Sequence, residues 1–189
     1  MGWNGSTLEN RTGRSHWVRM PLNRLKLCLT AAALLTCLAL SPLSAAPADV
    51  EFRNGLSAYN GGDYLKALEI WLPLAQQEDA KSQAGVGFIY HRGLGVDVDN
   101  QKAFFWSRKA AEHGQPEGQM MLGTLYFYGQ GVMQSYVQAY AWCDLAQDGG
   151  SADAESCRGA ALQSLKSDGD LKLAFKLSSD LHRRFAGQH

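Results

Sequence analysis

The chain has few residues of the types that do covalent chemistry, and their spacing matches no catalytic or metal-binding motif. The sequence contains no Gly-x-Ser-x-Gly, no His-Glu-x-x-His and no phosphate-binding glycine loop. Beyond residue 48, four histidines are scattered without metal-ligand spacing: His91, His113, His182 and His189. His91 and His113 each flank a helix-ending glycine, where a cation is favourable. The sequence therefore predicts a protein that is not an enzyme and that holds neither a metal nor a cofactor.

Two cysteines flank a predicted corner between helices. Cys143 and Cys157 lie on either side of Asp148-Gly149-Gly150, which breaks a helix. If the flanking segments form a helical hairpin, the two Cα atoms come within the roughly 4.4–6.8 Å that a disulfide needs. The alternative is that both are small buried apolar residues whose sulfurs point apart. A disulfide is expected only in an oxidising compartment.

The N-terminal segment has the pattern of a secretory signal peptide. Arg24 and Lys26 precede an apolar stretch of 14 residues, 27–40, and small residues follow, ending in Ala46-Pro47-Ala48. A membrane span needs about 20 residues, so this stretch is short for one. We therefore expect residues 1–48 to be a signal peptide with its leader, cleaved after Ala48, and the protein to be periplasmic or secreted. The alternative is an uncleaved signal that anchors the chain in the membrane.

The start of translation is a separate question. Residues 1–19 are polar and would give the signal peptide an unusually long leader, whereas Met20 begins a shorter and more typical one. We expect translation to begin at Met20. Contact with a membrane is then expected only through the signal segment during export.

Charge is unevenly distributed along the chain. The formal net charge is zero, so the basic excess that gathers on nucleic acid is missing and no nucleic-acid partner is expected. Residues 49–155 nevertheless carry seven basic and fourteen acidic side chains, and residues 156–189 carry six and three. This asymmetry is suited to steering a partner, and the alternative is a solvated surface with chance asymmetry.

Identical residues recur at a separation of 36. Nine of the pairs with this spacing are Gly87 and Gly123, Tyr90 and Tyr126, Gly93 and Gly129, Gly95 and Gly131, Val96 and Val132, Ala103 and Ala139, Trp106 and Trp142, Ala110 and Ala146, and Gly114 and Gly150. A period in the thirties is typical of stacked helical pairs. Each unit therefore holds two helices, and the sequence predicts an all-α repeat protein.

The elements of each unit follow from the residue types. A first helix over residues 82–91 ends at Gly93-x-Gly95, because glycine takes the positive φ of a helix exit. Asp99 is the predicted N-cap of the second helix, and Ser135 has this role in the next unit. We expect Tyr90 and Trp106 to fill the gaps between the paired helices.

Altered units are predicted at both ends of the array. At the N-terminal end, Tyr59, Gly61-Gly62 and Trp71 indicate a helical pair whose loop is five residues shorter. At the C-terminal end, residues 152–166 and 170–186 are two predicted closing helices. One apolar stripe marks the last of these helices: Leu171, Ala174, Phe175, Leu177 and Leu181.

These motifs resemble the Sel-one-like repeat family, a relative of the tetratricopeptide repeat. The first copy reads Ala84-Gly85-Val86-Gly87-x-x-Tyr90-x-x-Gly93-x-Gly95-Val96, followed by Lys102-Ala103-x-x-Trp106, and a similar copy runs from Leu122-Gly123 to Gly150. The resemblance implies a right-handed α/α superhelix (solenoid) of about three helical-hairpin repeats over residues 49–153, closed by capping helices over residues 154–189. It also implies a non-enzymatic scaffold whose concave face binds a protein, a peptide or a cell-envelope polymer.

One enzymatic alternative comes from the same family. Some cysteine-rich secreted members are described as penicillin-binding or β-lactamase-like, and they carry a cysteine pair in each repeat. In this chain a cysteine occurs only once inside a repeat, so an envelope hydrolase remains the second interpretation.

The predicted contact surface lies at large residues of the first helices that do not belong to the repeat motif. They are Phe88, His91, Arg92, Phe127 and Tyr128. Exposed aromatic residues and arginine are typical anchors of protein interfaces. The alternative for Phe88 and Phe127 is packing between adjacent units.

Overall fold

The computed structural model describes residues 46–187, with side chains from Asp49 onward, and this part of the chain is helical and contains no strand. The predicted signal peptide over residues 1–48 lies outside the described residues except for its last three positions, and so does the predicted start at Met20. The prediction of an all-α fold is confirmed.

The described helices follow one another in antiparallel pairs. Their bounds are α1 Ala46–Asn60, α2 Tyr64–Gln76, α3 Ala80–Arg92, α4 Asn100–Glu112, α5 Pro116–Tyr128, α6 Tyr136–Asp148, α7 Ala154–Ser164 and α8 Asp168–Phe185. Each helix contacts the next along the chain, except that α8 packs on α6. In addition, α3 contacts α5 and α5 contacts α7, so these three odd-numbered helices form one layer of an α/α solenoid.

The second helix of each pair begins at a side-chain cap in a fixed register. The side-chain oxygens of Asp63, Asp99 and Ser135, each 36 residues after the last, accept hydrogen bonds from the backbone N–H three residues on, at 3.1, 2.9 and 3.3 Å. These caps include the two predicted ones, Asp99 and Ser135. Asp63 keeps the spacing of 36 in the first pair. The five residues that this pair lacks are missing from the loop before the cap, so the cap position is unchanged.

The first helices of the repeats end where the glycines predict. Gly93 and Gly129 close α3 and α5 in the left-handed conformation, with φ of 65° and 68°. The carbonyls of Ile89 and Leu125 at the helix ends accept from the backbone N–H of each glycine and of the residue that follows it.

The second glycine of each Gly-x-Gly pair lies against the preceding unit. Gly95 and Gly131 have φ of 70° and 71°. A Cβ atom at Gly131 would clash with the Asn100 carbonyl oxygen at the start of α4, and one at Gly95 would lie 3.2 Å from Leu65 at the start of α2. In both repeats, therefore, the loop after the first helix meets the second helix of the unit before it, and glycine serves both the backbone conformation and this approach.

The alanines of the repeat motif are buried in both copies. Ala103 and Ala110 of α4 and the equivalent Ala139 and Ala146 of α6 are each 0% exposed. A larger side chain at such a position fits only by displacing its neighbours, which costs stability. The repeated alanines thus belong to the packed frame of the solenoid.

The repeated tyrosines lie partly in the core. Tyr90 and Tyr126 are half-buried and pack against buried apolar residues. The Lys102 ammonium lies 4.9 Å from the centre of the Tyr90 ring, and the Phe104 ring meets Tyr126 edge-on at 5.5 Å. Both tyrosines therefore pack between the helices of their own unit and also against clusters that include residues of the unit before it.

The tryptophans differ in burial although two of them occupy the same repeat position. Trp71 and Trp142 are 3% and 8% exposed, whereas Trp106 is only half-buried. The Trp71 ring lies between Gly55 and Gly85, and its indole N–H donates to the Phe52 carbonyl at 3.1 Å. The expectation that Trp106 fills a gap between the helices is therefore met only in part.

The closing helices differ from the predicted ones at their boundaries and on one face. Ser167 caps α8 by accepting from the Asp170 N–H at 3.0 Å, so the helix begins at Asp168 rather than at residue 170. The buried face of α8 includes Leu181 and Phe185. Phe175 was predicted on that face but is half-exposed, because it meets only the edge of Tyr140.

Candidate functional site

Two adjoining clefts open along the layer of odd-numbered helices. The N-terminal cleft has a volume of about 440 Å³ and the C-terminal cleft one of about 430 Å³. The N-terminal cleft is lined by Phe52, Leu56, Tyr59, Trp71, Lys81, Ala84, Gly85, Phe88, Gln115, Glu117, Met120 and Met121. The C-terminal cleft is lined by Arg92, Met120, Thr124, Phe127, Tyr128, Asp153, Ser156, Cys157 and Ala160. Because Met120 lines both, the two clefts form one surface, here named the inner groove.

The lining residues recur at the same separation as the repeats. On α3 they are Lys81, Ala84, Gly85, Phe88 and Arg92. On α5 they include Glu117, Met120, Met121, Thr124 and Tyr128, and at the start of α7 they are Asp153, Ser156, Cys157 and Ala160. This spacing of i, i+3, i+4, i+7 and i+11 defines one helix face. The motif residues Gly87 and Tyr90 lie off that face, whereas the motif residues Ala84 and Gly85 lie on it, so packing and lining positions overlap only in part.

Four of the five predicted contact residues line the groove. Phe88 lies in the N-terminal cleft, and Arg92, Phe127 and Tyr128 lie in the C-terminal cleft, with Tyr128 63% exposed. Both phenylalanines also pack between helices. The Phe88 ring meets Tyr59 edge-on at 6.2 Å, and the Phe127 ring lies 5.3 Å from Tyr136. Both phenylalanines therefore pack against neighbouring helices and also line the groove.

Arg92 is the basic side chain of the C-terminal cleft. Its guanidinium carbon lies 5.5 Å from the centre of the Phe88 ring, over which it stacks. Within residues 46–187, no carboxylate forms an ion pair with it. Burial raises the pKa of the Tyr59 hydroxyl, and the nearby positive charge of Arg92 opposes that shift. The guanidinium thus lies on the groove surface beside aromatic rings.

His91 is the predicted contact residue that lines neither cleft. Its ring is half-buried, and burial lowers the pKa of the ring, with the charge of Arg92 adding to the effect. His91 does lie in the last turn of α3, where a cation is favourable, but its lowered pKa works against the charged form there. His113 caps the end of α4 and contacts the amide oxygen of Gln83 through Nδ1 at 2.9 Å.

Comparison with known proteins supports the repeat assignment. Residues 80–115 and 116–151 match the model of the Sel1 repeat, and these segments are the helical pairs α3–α4 and α5–α6. The chain belongs to the Sel1-like repeat family. Sel1 repeat proteins are generally protein–protein interaction scaffolds. A search of curated proteins found no significant match.

Two solved structures share the Sel1-like repeat (SLR) fold. A protective antigen of uropathogenic Escherichia coli with an SLR fold is 30% identical to this chain, with a TM-score of 0.69, over 75% of this chain and 31% of the antigen. A Sel1 repeat protein from Oxalobacter formigenes is 25% identical, with a TM-score of 0.55, over 71% of this chain and 58% of that protein. The chain thus spans less than two thirds of either relative.

A buried glutamine recurs in the two Sel1 repeats. The side-chain amides of Gln83 and Gln119 donate to the Ala75 and Ala111 carbonyls of the preceding unit, at 3.0 and 3.5 Å. Both glutamines are fully buried, so these bonds hold one unit to the next. Sequence analysis missed this pair, although Gln83 and Gln119 stand at the repeat separation of 36 and were open to detection.

A disulfide holds the end wall of the inner groove. Cys143 of α6 and Cys157 of α7 are bonded, with their Cα atoms 5.9 Å apart, as the sequence predicted for a helical hairpin. Cys143 is fully buried and Cys157 lies on the lining face. In the preceding Sel1 repeat the equivalent positions hold Ser107 and Met121. The pattern of one cysteine pair per repeat, on which the hydrolase alternative depends, is therefore not followed.

A serine, a histidine and two aspartates converge where α8 packs on α6. The Ser178 hydroxyl donates to Asp144 at 2.5 Å, and His182 Nε2 lies 2.8 Å from Asp148. His182 Nδ1 lies 2.8 Å from the Ser178 carbonyl oxygen and 3.3 Å from its hydroxyl. Because Ser178 is buried and its proton is directed at Asp144, this network clamps the two helices and does not present a nucleophile.

Residues 46–187 contain neither a group of side chains that could hold a metal ion nor a helix that could span a membrane. Between residues 46 and 187, no group of three or more histidine, cysteine, aspartate or glutamate side chains is placed to hold a metal ion. Across the same residues, none of the helices combines the length and apolarity that crossing a membrane requires.

Proposed function

We propose that this Sel1 repeat protein is an exported, non-enzymatic scaffold that holds an apolar segment of a partner protein in the inner groove. The observation that carries the proposal is the continuity of the two clefts through Met120, which gives one surface of aromatic, methionine and arginine side chains. Methionine adapts its shape to different apolar partners, and aromatic residues and arginine are typical anchors.

The lining favours a protein segment over a cell-envelope polymer. The N-terminal cleft is walled by Phe52, Leu56, Tyr59 and Phe88, with Lys81 and Glu117 among its polar members. Such a cleft removes apolar side chains from water, which stabilises a complex in proportion to the apolar area buried. A cell-envelope polymer is the second occupant that the binding experiment below distinguishes.

Export is supported by the signal pattern of the sequence and by the disulfide between Cys143 and Cys157, since such bonds persist in oxidising compartments. Cell fractionation followed by N-terminal sequencing tests this part of the proposal. We expect the protein in the periplasm or the medium, beginning at Asp49. A protein recovered from the cytoplasm with residues 1–48 still attached contradicts it.

Photo-crosslinking in intact cells tests the groove. A photoreactive phenylalanine analogue is placed at Leu56 or Tyr128 in the groove, and at Phe105 on α4 as a control of similar exposure. We expect a covalent adduct with the same protein from both groove positions and none from position 105. The double substitution Arg92→Ala with Tyr128→Ala should weaken the adduct from position 56 without lowering the melting temperature. Adducts that form equally from position 105, or with glycan alone, refute the protein-binding groove.

A further inference from the structure

We propose that the inner groove recognises a partner segment that carries a carboxylate about three residues from its apolar anchor, and that Arg92 receives this carboxylate. The inference rests on the proposed function and specifies the chemistry of the partner. It follows from the position of Arg92, from the groups around it and from the distance between the two clefts.

The guanidinium of Arg92 lies against an aromatic ring and is not neutralised. Its central carbon lies over the Phe88 ring, 5.5 Å from the ring centre, and the side chain is exposed. No carboxylate of the described residues pairs with it, whereas the charges of Lys66, Lys102 and Arg108 are each paired within their own helix or cap. A planar guanidinium of this kind binds a carboxylate through two parallel hydrogen bonds.

Hydroxyl groups surround the same position. Thr124, Tyr128 and Ser156 line the C-terminal cleft with Arg92, and Tyr128 stands at the repeat position equivalent to Arg92 itself. The Thr124 hydroxyl donates to the Met120 carbonyl at 3.0 Å, whereas the hydroxyls of Tyr128 and Ser156 are able to donate to the remaining lone pairs of a bound carboxylate. The acidic residue of this cleft, Asp153, precedes the first turn of α7 and forms no ion pair with Arg92. The charge of Arg92 is therefore open to a carboxylate from a partner.

The distance along α3 sets the spacing in the partner. Gly85 in the N-terminal cleft and Arg92 in the C-terminal cleft are seven residues apart on one helix, which is about 10 Å at roughly 1.5 Å per residue. An extended chain advances about 3.3 Å per residue, so about three residues cover that distance. An apolar side chain in the N-terminal cleft and a carboxylate at Arg92 thus belong to one short extended segment.

The overall charge limits the acidic character of the partner. Residues 49–189 carry 17 acidic and 13 basic side chains, so a generally acidic protein is repelled at long range. The partner segment therefore has one local carboxylate within an apolar stretch and not a run of acidic residues.

Selection from phage-displayed random linear peptides tests the inference on the full chain. The wild-type protein is compared with Arg92→Glu and with Lys109→Glu. The second variant makes the same change of net charge on α4, at a residue that does not line the groove. We expect wild type and Lys109→Glu to enrich peptides with an aromatic or large aliphatic residue about three positions from Asp or Glu. Arg92→Glu should lose that acidic preference or replace it with Lys or Arg. Equal melting temperatures establish that all three proteins are folded.

The outcomes separate the two proposals. If Arg92→Glu enriches the same acidic peptides as wild type, the carboxylate inference is overturned and the groove proposal stands. If folded wild-type protein enriches no peptide, both are overturned. With a selected peptide, Arg92→Ala should weaken binding roughly tenfold or more, and so should Asp→Asn in the peptide. The two changes together should cost little more than either alone, and additive losses contradict a direct contact.

Discussion

Single residues determine how closely the first and second helices of a repeat approach each other. A Cβ atom at Gly123 would clash with the Cys143 sulfur and lie 3.1 Å from the Ala139 carbonyl oxygen. At the equivalent Gly87 it would lie 2.7 Å from the Ser107 hydroxyl. The identical glycines of the two repeats therefore mark a steric requirement, which explains why they occur at the same register.

Replacing Gly123 by alanine should change the stability in the opposite direction from replacing Gly159, which has no close neighbours. Gly123→Ala should lower the free energy of unfolding by about 1–3 kcal/mol, because the methyl group overpacks the contact with Cys143. Gly159 lies inside α7 with no neighbouring atom within 4 Å of a Cβ, so Gly159→Ala should raise it by about 0.4–1 kcal/mol. Urea unfolding measures both, and equal effects would show that α5 does not approach α6 so closely.

Burial of His91 predicts a dependence of stability on pH. Burial lowers the pKa of the ring below its usual value near 6.5. The unfolded chain then binds a proton more readily than the folded one, so stability falls as the pH drops below about 6.5 and levels off below the folded pKa. His91→Gln, which does not titrate, should lose less melting temperature than wild type between about pH 7.5 and pH 5. Identical losses in the two proteins contradict the lowered pKa.

For the helices, the sequence predicts where each helix begins and ends better than it predicts which side chains are buried. Caps and glycine exits depend on neighbouring residues, so the roles expected of Asp99, Ser135 and Gly93 agree with the structure. Trp106 and its register equivalent Trp142 look alike in sequence. Their burial differs because α8 packs on α6 and places Phe185 6.2 Å from the Trp142 ring.

This difference predicts unequal costs of removing the two rings. Trp142→Ala should cost about 3–5 kcal/mol of unfolding free energy, the range for truncating a buried aromatic residue. Trp106→Ala should cost less, because its ring is already half in contact with water. Urea unfolding of both variants measures the order, and a larger cost at position 106 reverses our assignment of the core.

The disulfide should stabilise the junction of α6 and α7. The bond closes a loop with a sequence separation of 14, for which the chain-entropy model gives roughly 3 kcal/mol. Reduction, or Cys143→Ala with Cys157→Ala, should lower the melting temperature and increase amide hydrogen exchange, with the increase strongest in α7. Uniform exchange along the whole chain would show that the bond does not act locally. The groove wall at Ser156 and Ala160 should loosen with it.

For the whole molecule, the contact surface was predicted less completely than the fold. The period of 36 predicted the helical pairs, and residue size predicted four of the groove residues. Met120 and Thr124 were missed because a methionine or threonine on a helix is equally typical of a core. Their place on the lining face becomes clear only when the repeats are aligned so that Lys81, Glu117 and Asp153 occupy the same position.

The last helix is expected to be indispensable to the array. Leu181 and Phe185 of α8 pack with Leu122 and Leu145, so deleting residues 167–189 uncovers an apolar face. The truncated protein should melt at a lower temperature and bind a dye specific for apolar surface. The exposed Leu173 of the same helix provides a control, and Leu173→Ser should leave both measurements unchanged. An unaltered melting temperature of the truncated chain contradicts a capping role.

The repeats differ more at exposed lining positions than at positions of close helix contact. Lys81 is basic whereas Glu117 and Asp153 at the same register are acidic, while Gly87 and Gly123 stay the same. Exposed lining positions such as Arg92 and Tyr128 escape the steric limits that govern the frame, unlike Gly85 beside the Trp71 ring, so mutations at them can accumulate without loss of folding. A lineage that carries this fold is thereby free to exchange one ligand for another while its architecture stays intact.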